Sequence, residues 1–184
     1  MFKWIRHISI SLCALAIVAY TAFPGWRRAL TPTLFGMRKI APNIYSDAPD
    51  KSKAHLALIS AARTQASDFF GPLQTNPRYI LCTTDRCTKR FGLHTRGLNL
   101  GYHLILIGPK GINASIITHE IAHSELHRTM GLRDMTKPKF PSWFDEGLAS
   151  YISNDTRLSF VGDPHWIKSA RNFRQWSTLN SAET

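Results

Sequence analysis

The order of the segments predicts an α+β fold, with a small sheet packed on helices. Three observations carry this. An apolar stripe at helical spacing (Leu56, Ile59, Ala62, Ala66, Phe69, Phe70) is followed by short runs of strand character. Those runs, Arg78–Thr83 and Tyr102–Ile107, are rich in Ile, Leu and Tyr. Two further helical segments then follow, the first from Ile116 and the second from Pro141 or Ser142.

The elements follow in chain order. "MFKWIRH" is basic, Ile8 to Phe23 is 16 residues without a charge, and "PGWRR" closes the segment. Residues 1–28 therefore read as an N-terminal signal-anchor, with cleaved secretion as the alternative. From Ile8 to Trp26 is 19 residues, enough to cross a bilayer core at about 1.5 Å per residue. Trp4, Tyr20 and Trp26 stand near its ends, where interfacial aromatics belong. Ala19-Tyr20-Thr21 is a poor cleavage triplet, which favours an anchor. Residues 29–49, with their prolines and mixed polarity, read as a linker becoming extended.

A folded domain over 50–178 follows. Asp50 is the expected N-cap of its first helix, and Gly71-Pro72 the stop. "TTDRCTKRFG" reads as a turn or short helix ending at Gly92, and Gly97 to Gly108 as one or two strands. Gly108, Pro109 and Gly111 mark a turn before the helix "IITHEIAHSELHRTMG". The last helix starts at Pro141 or Ser142, proline suiting the first turn and serine the cap.

The net charge is +11, and four of the 23 basic residues (Lys3, Arg6, Arg27, Arg28) flank the N-terminal segment. Without them 19 basic residues face 12 acidic ones, a remaining +7. That excess reads as scattered surface lysine and arginine, or else as a preference for acidic partners. Nucleic acid is not expected, because no zinc ribbon, RNP-like motif or aromatic-basic interleaving is present. Arg27, Arg28, Arg38 and Lys39 outnumber Lys3 and Arg6, a count that would keep the domain cytoplasmic. The export-signal character of the N-terminus and the Cys82/Cys87 pair point the other way. Two cysteines five apart close a small loop in an oxidising compartment or stay as inert thiols in a reducing one. The expectation is a single-pass membrane protein with an exported domain.

His119-Glu120-Ile121-Ala122-His123 has the pattern H-E-x-x-H. On a helix the two imidazoles lie one turn apart on one face, within reach of one zinc ion at ~2.0–2.1 Å each. Glu120 projects beside such an ion, placed to take a proton from its water. Ile116, Ile117, Ile121, Ala122 and Leu126 make the other face apolar enough to bury. His127 lies eight residues from His119, ~12 Å along the axis, too far to join the same ion; it reads as a partly exposed histidine. The third ligand is expected at Glu146, 23 positions after His123 on the last helix, beside the small Gly147 and Ala149. Trp143 and Phe144 would pack that helix on the first.

H-E-x-x-H followed by P-x-W-x-x-E-G-x-A-x-Y (Pro141 to Tyr151) resembles the gluzincin metallopeptidases, in particular the small peptidase MA-like family. The likeness covers Ser115 to about Ser153, a fifth of the chain. It implies a zincin-like, thermolysin-like catalytic domain with one Zn2+ held by His119, His123 and Glu146, and Glu120 as catalytic base. It further implies a zinc metallopeptidase that hydrolyses peptide bonds with Glu-activated, zinc-bound water; with the N-terminal segment, the expectation is a membrane-anchored one. Two departures stand out. Ser150 occupies the place where thermolysin-like relatives carry an aspartate that orients a histidine, leaving Asp145 or a backbone carbonyl for that role. Tyr151, His165 and Arg171 are the candidates for stabilising an oxyanion. The metzincin pattern fails at Leu126 and Thr129. The competing readings are a non-catalytic zincin-like scaffold at the membrane and a coincidental motif in a basic interaction domain. Substrate identity and oligomeric state are not written in the sequence.

Overall fold

The computed structural model describes residues 28–130 and 140–155. The chain forms β1 (Arg38–Ala41), β2 (Ile44–Ser46), α1 (Ser52–Phe70), β3 (Arg78–Leu81), α2 (Asp85–Phe91), β4 (Gly97–Leu100), β5 (Leu104–Ile107), α3 (Ala114–His127) and α4 (Ser142–Ile152). The five strands make one mixed sheet in the order β1-β2-β3-β5-β4. β2, β3 and β5 run parallel, and the outer pairs β1/β2 and β4/β5 are antiparallel.

Period-2 alternation explains how the sheet is covered on both faces. Tyr79, Leu81, Ile105 and Ile107 point to one side, where α1 (Ile59, Ala62, Ala66) and α3 (Ile116, Ile117, Ile121) pack on them. Ile80, Leu104 and Leu106 point to the other, against Ala29, Met37, Cys87, Phe91 and Leu93. A strand buried on both sides reads as a continuous apolar run, which is why "LILI" shows no alternation in sequence. Cys82 and Cys87 are disulfide-bonded, tying the end of β3 to α2. Gly92 caps α2 in the left-handed conformation at φ 69°, as the helix stop required.

Three expectations are revised. Residues 29–49 are not only a linker: β1 and β2 complete the sheet, and Ala29 and Met37 are core residues. Such short, mixed-polarity strands carry little periodic signal. Asp50 does not cap α1, because Pro49–Lys51 form a 3-10 turn before the helix begins at Ser52. At the last helix Pro141 is itself the N-cap residue and makes no side-chain cap bond.

Among the described residues no helix is long and apolar enough to cross a membrane. The expected anchor, residues 1–28, lies outside them but for Arg28, and His165 and Arg171 also lie outside.

Candidate metal centre

α3 carries the motif and is held from three sides. Asn113 caps it, its side chain accepting from Ile116 N at 2.9 Å. Its apolar face is buried on the sheet as expected, with Ile117 and Ile121 fully covered. α4 packs on it through Ala122, Leu148, Ala149 and Ile152, with Phe144 and Leu126 at the margin. Ser115 Oγ donates to Ser153 O at 2.9 Å, so the start of α3 meets the end of α4, an antiparallel pair. Gly147 is buried at this contact.

Those constraints bring the predicted residues together. His119 Nε2 and His123 Nε2 are 3.1 Å apart. Glu146 Oε2 lies 3.4 Å from the first and 3.5 Å from the second. For ligands ~2.0–2.1 Å from one ion in a tetrahedron, simple geometry puts ligand atoms ~3.3–3.5 Å apart. The three atoms fit that spacing, and His119, His123 and Glu146 form a group able to hold a metal ion. Glu146 Oε2 is buried, with only the two long, poorly aligned imidazole contacts to offset its burial, a costly placement that a cation would satisfy.

Asp145 completes the arrangement. His123 Nδ1 donates to its Oδ1 at 2.8 Å, which turns the Nε2 of His123 toward Glu146. Its other oxygen, Oδ2, accepts from His127 Nε2 at 2.9 Å. The two carboxylates therefore flank a row of three imidazoles, His119 edge-on to His123 and His127 tilted by 30° against it.

The electrostatics favour positive charge. Burial by itself disfavours a charged His123, but hydrogen bonds and charge from Asp145 and Glu146 outweigh it and raise the ring's pKa to about 10. Burial likewise works against ionised Glu146, yet His119 and His123 hold it down at about 2. Asp145 is kept well below the usual carboxylate range by His123 and His127, against the effect of burial. A proton and a metal ion compete for the same field.

The site opens into a cleft of about 460 Å³ between α3, the start of α4 and β4. Glu120 lines it but is not one of the clustered ligand atoms. Gly97 of β4 faces it closely: a Cβ there would clash with Glu120 Oε1. Asn99 Nδ2 reaches Glu120 O and Ser124 Oγ, both at 3.2 Å, pinning the strand to the helix. Sequence reasoning missed Gly97 and Asn99, for nothing in "RGLNLG" marks a strand that lies over a helix 20 residues later. It also missed the bond between His127 and Asp145. Tyr151 is not in the cleft lining; it is half exposed, and its ring stands edge-on to Phe69 at 6.4 Å. Comparison of the chain with family models, curated proteins and solved structures returns no match.

Proposed function

We propose that the chain is a membrane-anchored zinc metallopeptidase of zincin-like fold. One observation carries the reading. Two histidine nitrogens and a buried carboxylate oxygen lie 3.1–3.5 Å from one another beside Glu120 and an open cleft. Two histidines and one carboxylate, with room for water, is the donor set of catalytic rather than structural zinc. Zinc held there would supply Lewis acidity toward a peptide carbonyl and make water acidic enough to attack at neutral pH.

The chain's own groups perform the rest. Glu120 takes a proton from the attacking water and later gives it to the departing amine, so the proton count closes. Asp145 holds His123 in the tautomer that offers Nε2. β4 is an edge strand beside Glu120, and an extended peptide can add to such an edge by main-chain hydrogen bonds. That favours a protein or peptide substrate. The uncharged run Ile8 to Phe23 supports the anchor, and the Cys82–Cys87 disulfide supports an exported, oxidising location.

The test is hydrolysis of unfolded protein and of mixed peptides by the full chain in detergent, read as new N-termini by mass spectrometry. Cleavage should stop on chelation, return with zinc, and slow by about 10²–10⁴-fold in Glu120→Gln. Cleavage that continues unchanged in Glu120→Gln would overturn the mechanism.

A further inference from the structure

His127 sits at the end of α3, eight residues from His119, and ~12 Å of helix separates it from that ligand. Its ring stacks beside that of His123 with centroids 5.6 Å apart, and it lines the cleft. Its one polar contact to the cluster is the bond from Nε2 to Asp145 Oδ2. Asp145 is partly exposed, at 21 %. Held only through Oδ1, its carboxylate would be free to swing, because the terminal torsion of aspartate is broad. Water at the cleft would compete for the second oxygen. With both oxygens taken, one by each histidine, the carboxylate plane is fixed.

We infer that His127 is a positioning residue of the metal centre: it fixes Asp145, and through Asp145 the orientation of the ligand ring of His123. The inference rests on the zinc reading above and deepens it. Groups that orient a ligand imidazole typically change metal affinity 10–100-fold, and a brace one step further out belongs at the lower end. His127, His123 and Asp145 also form a group with the spacing of a metal site. Occupying it would strip His123 Nδ1 of the proton it donates to Asp145, so the hydrogen-bonded arrangement assigns these residues to positioning instead.

The experiment measures zinc affinity of the full chain by competition with a chromogenic chelator, together with zinc stoichiometry. The variants are His127→Ala, His127→Gln, His127→Asn, Asp145→Ala and the His127→Ala/Asp145→Ala double. The Gln amide nitrogen reaches about as far as Nε2, whereas the Asn amide is too short. The expected result is one zinc per wild-type chain, affinity about tenfold weaker in His127→Ala and His127→Asn, and recovery in His127→Gln. In the Asp145→Ala background His127→Ala should add nothing, since its only route is already cut. A residue needed merely for packing would not discriminate Gln from Asn, and its effect would persist in that background. Should His127→Ala fail to fold, the Gln/Asn pair carries the comparison. Unchanged affinity in both His127→Ala and His127→Asn, an undiminished effect in the double variant, or a second zinc lost with His127 would each overturn the inference while leaving the three-ligand site standing. A wild-type chain that takes up no zinc would overturn both.

Discussion

His123 Nδ1 donates to Asp145 Oδ1 at 2.8 Å, so the residue next to one metal-site carboxylate fixes the ring of another member of the cluster. The dipeptide Asp145-Glu146 thus serves the histidine face of α3 twice over. Glu146 meets His119 and His123, and Asp145 meets His123 and His127. Replacing Asp145 by Ala should weaken zinc binding about 10–100-fold, measured by chelator competition. An affinity equal to wild type would show that the ring needs no such clamp.

Glu120 is expected to matter for turnover and not for metal. Glu120→Gln keeps the shape and removes the base, so the hydrolysis rate should fall by about 10²–10⁴-fold, and elemental analysis should find zinc unchanged.

Gly97 tests the same carboxylate from the other side. An alanine Cβ would clash with Glu120 Oε1 and lie 2.9 Å from its Cγ and Cδ. Either the carboxylate or β4 must shift. Misplacement of a reacting group by about 1 Å costs on the order of 10²-fold. Gly97→Ala should therefore bind zinc normally and hydrolyse peptide slowly; a full rate would mean that Glu120 relaxes without cost.

Glu125, also on α3, has a structural task. It is buried and accepts from Gln74 N at 3.2 Å, Thr75 N at 2.8 Å and Thr75 Oγ1 at 2.6 Å, holding the segment between α1 and β3. Glu125→Ala leaves those donors without their acceptor, and a stability loss of about 1–3 kcal/mol is expected in thermal or urea unfolding, with zinc stoichiometry kept.

His55 sets a pH dependence away from the metal cluster. The ring is buried near the start of α1, with Nδ1 3.2 Å from Ser46 Oγ. Burial lowers its pKa below 6.5, and Lys51 adds to that while Asp47 and Asp50 oppose it. The unfolded chain thus binds this proton more readily than the folded one. The folded state gives up nothing here above the unfolded value of 6.5, and it loses stability as the pH falls below that toward the lower folded-state value. The melting temperature of His55→Gln should fall less between pH 8 and pH 5.5 than that of wild type; parallel profiles would contradict this.

The sequence was most legible where one periodicity ruled. His119, Glu120 and His123 are legible from helical spacing, and Glu146 from its distance along the chain, the small residues beside it and the family resemblance, because α3 and α4 are ordinary helices joined in an antiparallel pair. The apolar face of α3 was legible for the same reason. The partners across the cleft were not. Gly97 and Asn99 reach Glu120 through the register of β4 on β5, a non-local relationship that no local pattern encodes. β1 and β2 escaped because strands of four and three residues, with mostly intermediate exposure, alternate too briefly to show. The role of His127 was hidden by its distance from His119; only the fold of α4 brings Asp145 between it and His123.

The most direct test is metal content. The full chain, purified in detergent without added metal, is analysed for zinc beside Glu146→Ala. About one zinc per chain, lost or much weakened in the variant, is the predicted result. A well-folded chain that holds no zinc, and refuses it when it is added, would contradict the account.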